Sequence, residues 1–173
     1  MDGRRWSADG GVRLAFATWL VALHAGGVPI LDAAGRAACE RVVADPGDAS
    51  AGELLAWVDA GLGAADVDAA RALAARALGD ALRTDLGAGD RADRLARIRR
   101  YQFGRQLPWL ARVWERGGDG VVGVSWLVVG EVTDTLRALD PNPWNDVDEA
   151  REIPVGDFLV LWELDGCSAL SVA

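Results

Sequence analysis

Lysine is absent from this chain of 173 residues, and histidine occurs once, as His24. One imidazole excludes three-histidine metal sites and the HExxH arrangement, since both need more than one. The GxSxG of a nucleophile elbow, the P-loop and the GxGxxG of dinucleotide folds are also missing. Gly117-Gly118-Asp119-Gly120 lies between an expected helix and an expected strand, the reverse of the order a phosphate loop requires. Cysteine is scarce too. Cys39 and Cys167 form no CxxC and no framework of bridges. They suit a reducing compartment, which makes a cytoplasmic location the expectation, and they read as small packed hydrophobes. No apolar run reaches the ~20 residues that a membrane span needs.

What is present is an apolar half: 51% of the residues are hydrophobic and eight are tryptophan. That is enough to build a core and argues against disorder. All eighteen cations are arginine, whose planar fork pairs bidentately with carboxylates. The charge is segregated. Residues 1–120 hold sixteen arginines and sixteen acids, while residues 121–173 hold two arginines and ten acids. The whole net charge of −8 therefore lies in the C-terminal third. A net-acidic chain disfavours general nucleic-acid binding, which depends on neutralising phosphates, and favours a basic partner.

The first two thirds read as helices. Residues 11–25, with Phe16, Trp19, Leu20 and Leu23, are apolar nearly all round, as in a buried helix. Arg4, Arg5 and Arg13 before "LAFATWLVAL" leave an export signal as the alternative. A second helix is expected from about Pro29 to Ala44. Ser50 and Glu53 make a capping-box pattern for a third, ending near Gly61 or Gly63. Asp66 would cap a fourth, striped by Val67, Ala70, Ala74, Leu78, Ala81 and Leu82 and ending at Gly87. Asp90 would cap a fifth with Leu95, Ile98 and Phe103 inward. Pro108 would open a sixth, in which Leu110, Val113 and Trp114 share a face. After Gly120, "VVGVSWLVV" reads as a strand; in "EVTDTLRAL" Val132, Leu136 and Leu139 fit helical spacing while Val132, Leu136 and Ala138 fit strand alternation, and it is read as the strand's continuation. "DFLVLWEL" and "CSALSV", joined by Asp165-Gly166, fit a type I′ hairpin that places Trp162 opposite Ala169. The expected fold class is α+β: an N-terminal bundle of five or six helices, then a small antiparallel sheet ending in a D-G hairpin. A helical lobe (1–120) and a β lobe (121–173) would pack as one unit.

Two stretches stand out. "LDPNPWNDVDEAREIPV", residues 139–155, contains Asp140, Asp146, Asp148, Glu149 and Glu152 around Trp144. Its spacing fails as an EF-hand, because position six is Asn145 and position twelve is Arg151. Asp146-Val147-Asp148 is a DxD, but Asp66-Val67-Asp68 repeats that pattern at a helix start, so no metal is assigned and no cofactor is expected. Residues 90–116 carry eight arginines against three acids, with Tyr101, Phe103, Trp109 and Trp114 interleaved. Arg94, Arg97 and Arg100 fall on the face away from Leu95. This segment can be a solvated helix face, a single-strand nucleic-acid surface, or a basic element pairing internally with the acidic third.

Trp19, Trp57, Trp114, Trp126 and Trp162 sit in apolar patterns and read as core, whereas Trp6 and Trp144 have polar neighbours. Tryptophan is enriched where partners touch. The leading expectation is therefore a non-catalytic protein-interaction module: an adaptor, a regulatory subunit or an immunity-type inhibitor. Its contact residues would be Asp140, Trp144, Asp146, Asp148, Glu149, Glu152 and Trp6, facing a basic protein surface. The alternative is an enzyme or anionic-ligand binder with a carboxylate/arginine site between the lobes.

Overall fold

The computed structural model describes residues 8–45, 48–59, 67–116, 122–140 and 150–173. The fold is α+β. α1 (Ala8–Ala25) is buried along most of its length, with Ala15, Phe16, Trp19, Leu20 and Leu23 fully enclosed. α2 (Ala33–Ala44) and α3 (Asp48–Asp59) pack on it and on each other, and α4 (Val67–Leu78) follows. A 3-10 turn over Gly79–Ala81 leads into the short β1 (Leu82–Arg83). Next come α5 (Arg91–Arg105), β2 (Trp109–Arg116), β3 (Val122–Val132), β4 (Thr135–Leu139), β5 (Arg151–Pro154), α6 (Val155–Leu164) and β6 (Ala169–Val172). The strands form one antiparallel sheet in the order β1-β6-β2-β3-β4-β5. β1 and β2 precede residue 120, so the sheet draws on both sides of that position.

Strand alternation divides the core in two. Leu110, Trp126, Val128, Leu170 and Val172 pack with the α1–α4 side chains. Trp109, Ala111, Val113, Leu127 and Val129 point the other way, into a second cluster with α6 and Ile98 of α5. In that cluster Phe158 and Trp162 stack at 5.4 Å, and Trp109 closes the trio at 5.7 Å from Trp162. The Trp162 indole donates to the Ser168 carbonyl at 2.9 Å.

Several expectations change here. Residues 109–116 form β2 rather than a sixth helix. Trp109, Ala111 and Val113 alternate with Leu110, Arg112 and Trp114, and each finds a partner on β3. The D-G hairpin is not formed. Residues 155–164 are helical because Val155, Phe158, Leu159 and Trp162 make one buried stripe at helical spacing. Asp165-Gly166 is the end of that helix. Gly166 takes φ +77°, Cys167 takes φ +60°, and the Cys167 amide donates back to the Trp162 carbonyl. β6 then pairs with β1 and β2, not with residues 155–164. α2 starts at Ala33 rather than with Pro29 in its first turn, because the Asp32 side chain caps it by accepting from the Ala34 and Gly35 amides. α4 stops at Leu78, well short of the end expected at Gly87, because Leu82 pairs with Val172 in the sheet. Gly87 is not a helix cap; a Cβ there would meet the Cys167 carbonyl oxygen at 1.9 Å, so only glycine lets these segments touch. Glu53 pairs with Arg41 of α2 at 2.5 Å instead of serving a capping box. Asp66 and the expected end of the third helix lie outside the described residues. Asp90 does cap α5, with Asp93 completing a capping box.

Candidate interaction surface

The acidic stretch springs from the β4–β5 hairpin. Ala138 pairs with Arg151 across the two strands, so residues 139–150 connect them. Asp140 closes the neck. Its side chain is 1% exposed and accepts from Arg151 Nη1 at 2.5 Å. Asp140 therefore holds the base of the loop rather than offering itself to a partner. Glu152 is exposed, with its carboxylate 3.7 Å from Arg137, which also lies 3.9 Å from Glu131. Trp144, Asp146, Asp148, Glu149 and Trp6 lie outside the described residues. Replacing Arg151 with methionine is expected to lower stability by about 1–2 kcal/mol, measured by urea unfolding, because an enclosed carboxylate loses a charged donor.

The arginine-rich segment is partly spent inside the molecule. Arg91 and Arg94 on α5 both grip Glu163 on α6, Arg94 at 2.7 Å. Arg91, by hydrogen bonding, holds the Glu163 carboxyl below the usual carboxylate range. Arg97 lies 3.3 Å from Asp85. Arg112 stands 3.7 Å from Asp165, whose carboxyl is pushed up by burial, with Arg112 and a Trp114 hydrogen bond opposing. The basic segment and the acidic third do therefore pair. Among the described residues, however, the partners are Glu163 and Asp165, not the loop. Trp109 is fully buried and Trp114 is 37% exposed, so Trp114 is not wholly core. Trp19, Trp57, Trp126 and Trp162 are core as expected.

Arg99 and Arg100 are exposed and have no ion pair among the described residues. Phe103, expected inward, is 90% exposed. Tyr101 takes the inner position instead, where burial raises its phenol pKa and its hydroxyl accepts from the Val172 amide. Beside Phe103 runs an open groove of about 840 Å³ between the second half of α5 and the β3–β4 turn. Gln102 fixes its floor by donating from Nε2 to the Gly130 carbonyl at 2.8 Å, where the β3–β4 register shifts. Arg99 and Phe103 line one wall, with Glu131 and Asp134 on the other. Nothing in the sequence flagged this groove, although Tyr101 at Ile98 plus three was a signal that Phe103 would turn outward.

Among the described residues no group of three or more His, Cys, Asp or Glu side chains is placed to hold a metal. Both cysteines are buried and free, and burial pushes the Cys39 thiol up to about 11. No described helix is long and apolar enough to cross a membrane. No protein-family model matches the chain, and neither the curated proteins nor the solved structures yield a match.

Proposed function

We propose that this protein is a non-catalytic interaction module of the cytoplasm, of the adaptor, regulatory-subunit or immunity-inhibitor kind. It offers the β4–β5 connection to a basic surface on another protein. Trp144 is the apolar anchor, and Asp146, Asp148 and Glu149 steer the encounter, since charge at a rim acts chiefly on association rate and specificity. The observation that carries this reading is the hairpin neck: Ala138 of β4 pairs with Arg151 of β5, and the enclosed Asp140 carboxylate accepts from Arg151, so the acidic segment leaves and re-enters the sheet at one place. The hairpin neck gives the acidic segment a fixed base, which limits the ordering cost of binding.

An immobilised oligo-arginine peptide serves as a probe of basic surface. Binding is measured over a salt series for the wild type and for the Asp146→Asn/Asp148→Asn/Glu149→Gln variant. A second variant, Glu40→Gln/Asp68→Asn/Asp80→Asn, removes the same charge from exposed sites elsewhere. The loop variant is expected to bind about tenfold more weakly, with a flatter salt dependence, while the control stays near wild type. Equal losses in both variants would reduce the loop to bulk charge and sink the proposal.

A further inference from the structure

We propose that a second copy of this chain docks on the groove between α5 and the β3–β4 turn, forming a two-fold dimer. In a two-fold interface each patch meets itself, so it must contain both members of every complementary pair. This groove does. One wall carries Arg99 and the other carries Asp134 and Glu131; Arg99 and Asp134 have no ion pair among the described residues, and Glu131 has only the long contact to Arg137. The two walls do not satisfy each other within one chain. Placed against a second copy in the opposite sense, Arg99 of each chain meets Asp134 and Glu131 of the other.

The apolar part obeys the same rule. Phe103 stands at the rim at 90% exposure, while Phe16 and Phe158 are fully buried. A two-fold contact that sets each α5 wall against the other copy's β3–β4 wall packs both Phe103 rings against the other copy and removes them from water, beside the charged pairs. An acidic ligand, whether nucleic acid or peptide, fits less well, because it would meet the Glu131 and Asp134 wall. The backbone already supports the surface, since the Gln102 bond to Gly130 holds α5 to β3.

Sedimentation equilibrium across a dilution series, with chains mixed in pairs, tests this. The wild type is expected to show reversible monomer–dimer exchange. Arg99→Glu alone sets acid against acid, Asp134→Arg alone sets cation against cation, and Phe103→Ser removes the apolar contact. Each is expected to weaken self-association by about tenfold or more. An equimolar mixture of the Arg99→Glu and Asp134→Arg chains restores opposite charges at both contacts, so it is expected to recover the mass of a dimer. All three side chains are exposed, and circular dichroism checks that each variant folds. A wild type that stays monomeric at every concentration overturns the proposal. So does a dimer indifferent to all three substitutions, or a mixture that fails to reassociate.

Discussion

Replacing Trp162 with alanine is expected to destabilise the protein by about 3–5 kcal/mol, the range for deleting a large buried aromatic. Trp162 has no exposed surface, stacks on Phe158 and lies tilted against Trp109, so little can collapse into the space it leaves. Its loss also frees the Ser168 carbonyl of its indole donor. The trio is what fixes α6 to β2, and α6 carries Glu163 to Arg91 and Arg94. Urea unfolding followed by near-ultraviolet circular dichroism measures the loss. Trp162→Phe keeps a ring in place and should recover roughly half of it. If the alanine variant lost less than about 1 kcal/mol, the aromatic cluster could not be the main tie between α6 and the sheet.

The second large effect is expected at Asp32, which joins three helices through one carboxylate. It accepts from the Ala34 and Gly35 amides at the start of α2, from the Trp57 indole of α3 at 3.0 Å, and from Arg76 of α4 at 2.7 Å. Gly35 is part of the same device, because a Cβ there would strike the Trp57 ring at 2.7 Å. Asp32→Ala removes a helix cap, about 1 kcal/mol, and orphans the nearly buried Trp57 N–H, for a total of about 3 kcal/mol. Arg76 is half exposed and rehydrates, so it adds little.

The contribution of Asp32 has a pH signature. The Gly35 hydrogen bond above all, with Arg76 and Trp57 helping and burial opposing, holds the carboxyl at about 2, below its ordinary 3.8. A lowered folded pKa means the stabilisation is full above pH 3.8 and fades as pH falls towards 2. The gap in unfolding free energy between wild type and Asp32→Ala should therefore be constant near neutrality and shrink through that acidic window. A gap that widened on acidification would contradict the hydrogen-bonded carboxylate as its source.

Of the polar boundary marks, Asp90 was legible as a cap, while Asp32, Ser50/Glu53 and Asp165-Gly166 were not, and stretches whose apolar residues face both ways were ambiguous. Asp90 announced α5, because caps are local chemistry. Residues 155–164 were misread because a strand buried on both faces and a buried helix look alike over so short a run. Only the choice between Phe158/Val160/Trp162 and Phe158/Leu159/Trp162 separated them. Val160, at 46% exposed, shows that the helical spacing decided it. β2 was hidden in the same way, with Arg112 the one polar mark among Leu110, Ala111, Val113 and Trp114. The charge segregation was legible and does produce Arg–Glu163 ties, since net charge needs no geometry to count. The β4–β5 neck was not legible, because it depends on Ala138 meeting Arg151 across a long connection.

The order of the sheet bears on how the chain acquires its shape. β6 is the last strand in sequence, yet it lies inside the sheet, between β1 and β2. Among the described residues β1 has no other neighbour, and the Ala173 amide bonds to the Ala81 carbonyl beside it. During synthesis, α1 to α4 can cluster early, but β1 has nothing to pair with until residues 169–172 have emerged. Contacts spanning some ninety positions, such as Leu82 with Val172, come late and slow folding. For most of its assembly the edge of β2 that awaits β6 is an open strand edge, and that is the interval in which a nascent chain would most need a chaperone.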